Sequence, residues 1–231
     1  MRLNNIFLVK FIERKNRFVW EGLLNWEKVL FHIWDTGRLQ ELLFKNNDIL
    51  VQKMPDDGRK YQYRLVAAKW LQWEFILLNS LLHSALVREY LKENKLNYKA
   101  EVQVWESKID FYIENIWFVE IKGCSLIKNI NWEFIWMFPD APTIRWQKHL
   151  KELLELKKQW KQAELWFLLT NNVNKFQANT ETDPKFSELF YKFVSMWGEI
   201  KFLYVNLYYK DGSIELKLSK KEVYILKNPL K

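Results

Sequence analysis

Asp110, Glu120 and Lys122 lie in the run Lys108-Ile-Asp-Phe-Tyr-Ile-Glu-Asn-Ile-Trp-Phe-Val-Glu-Ile-Lys-Gly123 and are the residue types that phosphodiester chemistry uses. If the two apolar stretches form a hairpin centred on Asn115, Asp110 falls directly opposite Glu120, with Cβ atoms about 4.5–5.5 Å apart. Carboxylates at that separation can share one divalent cation. Strand side chains alternate between faces, so Lys122 joins the acidic pair while Val119 and Ile121 point the other way, toward a core. Glu89, near the middle of the preceding helical stretch, could add a third carboxylate. Glu89, Asp110 and Glu120 together would suit Mg²⁺ or Mn²⁺, hard cations that keep several waters. Lys122 would then position or deprotonate the attacking water, or offset charge on a phosphate. The alternative is an ordinary amphipathic hairpin whose solvent face carries Asp, Glu and Lys, because an acidic residue followed by Glu-x-Lys has many chance matches. Two like charges opposed in a sheet repel, however, and that calls for a counter-ion.

Other candidates carry less. Arg38, Arg145 and Lys148 could hold phosphates or simply be solvated. His149 could face the acidic site or a phosphate, or be a hydrogen-bonded structural residue. Asp140 could cap the helix that follows it or reach the metal site, and the cap is the expectation. The aromatic strands of the first third could stack on single-stranded bases or be core.

The elements that must position these groups fall into two blocks. From Ile6 to about Lys69 the pattern is β-like: Ile6–Glu13, Arg17–Leu24, Lys28–Trp34, Asp48–Lys53 and Tyr61–Ala67, with Arg38–Phe44 as a helical turn. Five short strands and one small helix suggest a small closed or partly open barrel, of which the oligonucleotide-binding (OB) type is one example. After Lys69 helix and strand alternate, the mark of a layered α/β domain. Asn79 or Ser80 can cap a helix to about Asn94, followed by the runs Ala100–Trp105, Lys108–Ile113 and Trp117–Ile121. A Pro-bearing link, Phe138-Pro-Asp-Ala-Pro-Thr143, leads to a helix to about Gln162 with Trp146, Leu150, Leu153 and Leu154 on one face. Then come a strand at Glu164–Thr170, a helix at Pro184–Trp197, and strands at Ile200–Tyr208 and Ser213–Leu218. The expected domains are 1–68 and 69–231.

Composition narrows the class. The chain has 231 residues, 49% of them apolar, enough for a packed core, and a formal net charge of +8. Half of that charge, +4, falls in Ile6–Lys69. A basic balance favours a polyanionic partner or is merely a solvated surface. The single cysteine, Cys124, forms no intramolecular disulfide, which fits a reducing cytoplasm. The longest uncharged run, Phe75–Val87, is broken by Asn79, Ser80, His83 and Ser84, so no membrane span is expected.

The chain resembles the sugar fermentation stimulation protein (SfsA) family over nearly its whole length. The match is carried by Arg17-Phe-Val-Trp-Glu-Gly-Leu-Leu24, His32-Ile-Trp-Asp-Thr-Gly-Arg-Leu39, Asn79-Ser80, Leu86-Val-Arg-Glu89, Ser107-Lys-Ile-Asp-Phe111 and Val119-Glu-Ile-Lys-Gly123. The most specific block is Met137-Phe-Pro-Asp-Ala-Pro-Thr143 with Gln147-Lys-His-Leu150. The resemblance implies an α+β / α/β chain: an N-terminal small β-barrel resembling an OB-fold, then a restriction-endonuclease-like PD-(D/E)xK α/β domain. It also implies DNA binding with little sequence preference and a regulatory link to sugar (maltose) metabolism. Glu89, Asp110, Glu120 and Lys122 occupy its nuclease-like positions. Three functions therefore stay open: a DNA-docking module, a metal-dependent nuclease acting through Asp110, Glu120 and Lys122, and an enzyme on a small phosphorylated sugar. No phosphate-binding Gly-rich loop supports the last.

Thirteen Trp against six Gly inverts ordinary usage. Asn25-Trp26 lies between two β-like runs where Asn-Gly would be the strongest hairpin signal, and Trp160 stands at the place of a helix-ending Gly. Trp26, Trp105, Trp132 and Trp146 fall where the resembled family has Gly, and Trp34-Asp35 stands where it has Pro-Asn. A UGA codon that the cell reads as glycine, translated as tryptophan, gives this signature. Otherwise Trp146, beside Arg145 and Lys148, is a stacking platform for bases.

Overall fold

The computed structural model describes residues 1–34, 39, 41–58, 60–70, 74–171 and 173–227. In chain order the elements are β1 (Arg2–Leu3), β2 (Ile6–Arg14), β3 (Val19–Leu24), β4 (Glu27–His32), β5 (Asp48–Lys53), β6 (Tyr63–Trp70), β7 (Glu74–Leu77), α1 (Leu81–Glu93), β8 (Tyr98–Val104), β9 (Ser107–Ile113), β10 (Trp117–Cys124), β11 (Ile127–Ile130), β12 (Glu133–Phe138), α2 (Ile144–Lys158), β13 (Ala163–Leu169), β14 (Lys175–Ala178), α3 (Pro184–Ser195), β15 (Glu199–Lys210), β16 (Ser213–Lys221) and β17 (Tyr224–Ile225). They form two compact units. The first is Met1–Leu82 with Val205–Lys217; the second is His83–Tyr204 with the segment from Leu218 onward.

In the first unit β3, β2, β5 and β6 pair antiparallel in that order, and β4 pairs with β3. A short parallel pairing of β4 with β6, Phe31 opposite Tyr63 and His32 opposite Arg64, closes the ring into a five-stranded barrel. Bulges between Phe11 and Glu13 and between Leu50 and Val51 supply the curvature that closure needs. The interior takes one side of each alternating strand, including Val9, Trp20, Phe31, Ile49 and Leu65, all fully buried. The N-terminal α-amino group donates to the Leu216 carbonyl at 2.7 Å, and β1 pairs with β16. Of the expected helical turn at Arg38–Phe44, Leu39 and residues 41–44 form one turn, closed by the Leu43 N–H on the Leu39 carbonyl at 2.9 Å; Arg38 lies outside the described residues. β7 has no counterpart in the sequence reading.

The second unit is built on a sheet in the order β15-β13-β10-β9-β8. β13 is parallel to both β10 and β15 and buried along its whole length, which explains its unbroken apolar run Leu165–Leu169. α2 turns Leu150, Leu153, Leu154 and Leu156 inward, and Phe138, Phe167, Phe176, Phe186, Phe190 and Phe202 form one aromatic cluster with ring centroids 4.6–6.2 Å apart. A second sheet, β11-β12-β14-β17, was not anticipated. Its strands are two to six residues long, too short for a readable period, and β12 buries four consecutive residues, Ile135–Phe138. No helix among the described residues is long and apolar enough to cross a membrane.

Candidate functional site

The β9–β10 hairpin pairs Ile113 with Trp117, Tyr112 with Phe118 and Phe111 with Val119. Carried one pair beyond the last bonded one, that register sets Asp110 opposite Glu120, whose charge acts on it. Asp110 Oδ2 accepts the Ile121 backbone N–H at 2.7 Å, so the carboxylate rests on β10 itself. Burial, with the Glu120 charge adding to it, pushes Asp110 up to about 6. Burial alone would also raise Glu120, which is 1% exposed. Instead the Lys122 charge and a hydrogen bond from His149 hold it below the ordinary glutamate range.

Both of those partners meet one oxygen. Lys122 Nζ and His149 Nδ1 each contact Glu120 Oε1; a carboxylate only accepts, so His149 carries its proton on Nδ1. Glu120 Oε2 is buried with no hydrogen-bond partner among the described residues. The Lys122 ammonium lies 5.7 Å from the centroid of the Trp146 ring, which stacks on Phe138 at 4.5 Å. Behind this face the His83 ring presses on Gly123, where a β-carbon would sit 2.1 Å from His83 Cε1. Only glycine permits that approach right after Lys122. Burial pushes His83 down to about 4, so the packed ring is neutral.

The remaining predicted positions are more dispersed. Glu89 lies half-buried on α1, whose buried face is Leu86, Val87, Tyr90 and Leu91. Among the described residues no three His, Cys, Asp or Glu side chains converge as a metal-holding group, so Glu89 does not form one cluster with Asp110 and Glu120. Arg145 and Lys148 are exposed on the first turns of α2, Lys148 reaching Glu106 at 3.3 Å. Arg38 falls outside the described residues.

Asp140 is not the helix cap. α2 starts at Ile144 after Thr143, too far along for Asp140 to reach its first N–H groups, and the Thr143 N–H is taken by Asp183 at 3.2 Å. Asp183, missed in the sequence, also accepts from the Phe186 N–H as the α3 N-cap and from the Gln147 amide at 2.9 Å. One buried carboxylate thus ties the starts of α2 and α3 together, and α2 carries His149 to Glu120. The only local signal was Asp-Pro at a helix start. Asp183→Ala is expected to cost about 2–3 kcal/mol, a lost cap plus unpaired buried donors, read as a lower urea midpoint. An unchanged midpoint would remove Asp183 from this role.

In the first unit, a cleft of about 440 Å³ is lined by His32, Trp34, Tyr61, Tyr63, Lys60 and Arg64, with Met54, Asp57 and Gly58. Phe18 stacks parallel to His32 at 6.2 Å, and the Arg64 guanidinium lies 5.8 Å from the Trp34 ring centroid.

Comparison with known proteins places this arrangement. The SfsA N-terminal OB domain matches residues 12–76, and the sugar fermentation stimulation protein RE domain matches residues 76–210. A sugar fermentation stimulation protein homolog of Thermosipho melanesiensis is 43% identical over 77% of this chain and 78% of its own. A homolog from Saccharolobus solfataricus is 38% identical over 97% of this chain and 85% of its own. The solved structure of Pyrococcus furiosus SfsA in complex with Ca²⁺ superposes with a TM-score of 0.80 at 28% identity, covering 97% of this chain and 98% of that one. A barrel and an α/β unit in that order, matched by both domains of one family and by relatives along most of their length, mean that the chain belongs to the sugar fermentation stimulation protein family.

Proposed function

We propose that this protein binds DNA through the phosphate backbone with little sequence preference, and that Asp110 and Glu120 hold a divalent cation, Mg²⁺ or Mn²⁺, against that backbone. The observation that supports this best is the Asp110–Glu120 pair, with Glu120 Oε2 buried and without a hydrogen-bond partner among the described residues. Its donor set fits a hard cation, because two carboxylates that repel each other are satisfied together by one ion that also takes water ligands. The relative solved with Ca²⁺ agrees with this chemistry. A bound cation supplies Lewis-acid polarisation of a phosphate ester. Lys122 holds protons at Nζ and offsets phosphate charge; His149 keeps Glu120 oriented through Oε1, which leaves Oε2 for the cation. The exposed Arg145 and Lys148 and the basic, aromatic cleft of the barrel add phosphate contacts and base stacking. Backbone-directed binding is also how the regulatory link to maltose metabolism implied by the resemblance would act.

A second reading, metal-dependent cleavage of DNA, is favoured by one specific feature. Lys122 shares its strand face with both acids, as a phosphodiester-cleaving site requires.

Titration of labelled DNA tests the binding. Affinity should fall roughly a thousandfold or more between about 50 and 200 mM salt if six or more phosphates are contacted, and should barely change when the DNA sequence is scrambled. Arg145→Ala or Lys148→Ala should weaken binding to all sequences alike, and Tyr63→Ala should weaken single strands by about 1–3 kcal/mol. Salt-insensitive or strongly sequence-selective binding would overturn the reading.

A further inference from the structure

Among the described residues six tryptophans occupy left-handed backbone: Trp26 (φ 70°), Trp105 (48°), Trp117 (84°), Trp132 (68°), Trp160 (59°) and Trp197 (59°). Bulky residues rarely adopt this region, since their β-carbon crowds the following carbonyl. Each site is a device whose geometry asks for glycine. Asn25-Trp26 and Asn131-Trp132 are two-residue hairpin loops with both φ values positive, at 49° and 70° and at 51° and 68°. That is the type I′ turn, for which Asn-Gly is the preferred pair. Trp105 is the first residue of a two-residue loop between the paired Val104 and Ser107, the glycine position of a type II′ turn. Trp117 is the left-handed residue that returns the Asn115 turn to its strand.

Trp160 and Trp197 each follow a helix C-cap. At the end of α2, Trp160 N–H donates to the Lys157 carbonyl and Lys161 N–H to Leu156, both at 3.0 Å. At the end of α3, Trp197 N–H donates to Val194 at 3.1 Å and Gly198 N–H to Phe193 at 2.9 Å. This paired pattern is the Schellman motif, whose left-handed residue is usually glycine.

At four of the six no burial of the ring offsets the strain, while Trp105 and Trp117 are 51% and 36% exposed. Trp26, Trp132, Trp160 and Trp197 are 90–95% exposed. Trp20, Trp136 and Trp166, by contrast, are among the largest fully buried side chains and have ordinary φ. The chain also contains its own control. Asp211-Gly212, with φ 47° and 70°, is a third hairpin loop of the same conformation as those at Asn25 and Asn131, and it carries glycine where they carry tryptophan.

We infer that the protein made in its own cell carries glycine at positions 26, 105, 117, 132, 160 and 197, because the codon behind these six tryptophans is read there as glycine. UGA is that codon, since different genetic codes assign it to stop, tryptophan or glycine. The inference concerns these six positions alone. Trp146 sits inside α2 with an ordinary φ, so the backbone makes no such demand there.

Peptide mass mapping of the protein isolated from its native cell tests this directly. Each of the six peptides should be lighter by one tryptophan-to-glycine residue difference, with UGA in the gene at all six positions. Tryptophan masses at these positions, or UGG codons there, would overturn the inference. Stability provides a second, independent readout on protein made from the sequence as written. Trp26→Gly, Trp132→Gly, Trp160→Gly and Trp197→Gly should each raise the unfolding midpoint, and the six-site variant most of all. Trp20→Gly and Trp166→Gly should lower it. A six-site variant with a lower midpoint than the tryptophan chain would also overturn the inference.

Discussion

Lys122→Met is expected to lower stability by about 3–5 kcal/mol, because it leaves Glu120 buried and ionised without its cation. The lower end of that range fits best, since His149 Nδ1–H still donates to Glu120 Oε1. Urea unfolding of four proteins checks it: the wild type, Lys122→Met, Glu120→Gln and the double variant. If the buried ion pair is the cause, the double variant recovers most of the loss, and the cycle shows a coupling of about 2 kcal/mol or more. Additive effects would mean that Lys122 acts through its contact with Trp146 instead. The same variant divides the two functional readings. A DNA-docking module keeps most of its affinity for duplex DNA, whereas a nuclease loses cleavage altogether, whatever metal is supplied.

Mg²⁺ or Mn²⁺ should stabilise the folded protein by about 2.7 kcal/mol at a concentration 100 times the dissociation constant, because the acidic pair exists only in the folded state. A rise in melting temperature with metal concentration measures it. Asp110→Asn and Glu120→Gln should each remove most of that rise, and Glu89→Gln should affect it least, since Glu89 is not clustered with the pair. An equal rise in both carboxylate variants would place the cation elsewhere.

The pH dependence follows from Asp110. Its folded-state value of about 6 lies above the ordinary 3.8, so the folded state binds the extra proton between these values. Without metal, the stability that Asp110 contributes is fully present below about pH 4 and is lost as pH rises through 6. The cation competes with that proton. Its stabilising effect should therefore be small near pH 5 and full above pH 7. A metal effect that grows on acidification would contradict this assignment.

What the sequence determined by itself is what neighbouring residues encode. The Asn115 turn and the two-residue period of its flanking strands determined that Asp110 opposes Glu120 and that Lys122 shares their face. The same local signals showed that α1 starts at Asn79 or Ser80, the structure giving the Leu81 N–H to the Asn79 side chain at 3.3 Å, and they showed the apolar face of α2. Trp26 and Trp160 were conspicuous because turn and helix-end geometry is local too. Tertiary structure decided what depends on residues far apart in the chain. His149 meets Glu120 across 29 positions, and Gln147 meets Asp183 across 36, contacts that no local periodicity records. β11, β12, β14 and β17 are strands because they pair with one another, their runs being too short to show a period alone. The parallel β4–β6 pairing that closes the barrel joins strands separated by a long intervening segment, and only the curvature of the folded sheet brings their edges together. Whether each predicted acid joins the site was decided the same way. Asp110 and Glu120 share one hairpin and were bound to meet, whereas Glu89 lies on a helix whose packing, set by Leu86, Val87, Tyr90 and Leu91, determines how near it comes.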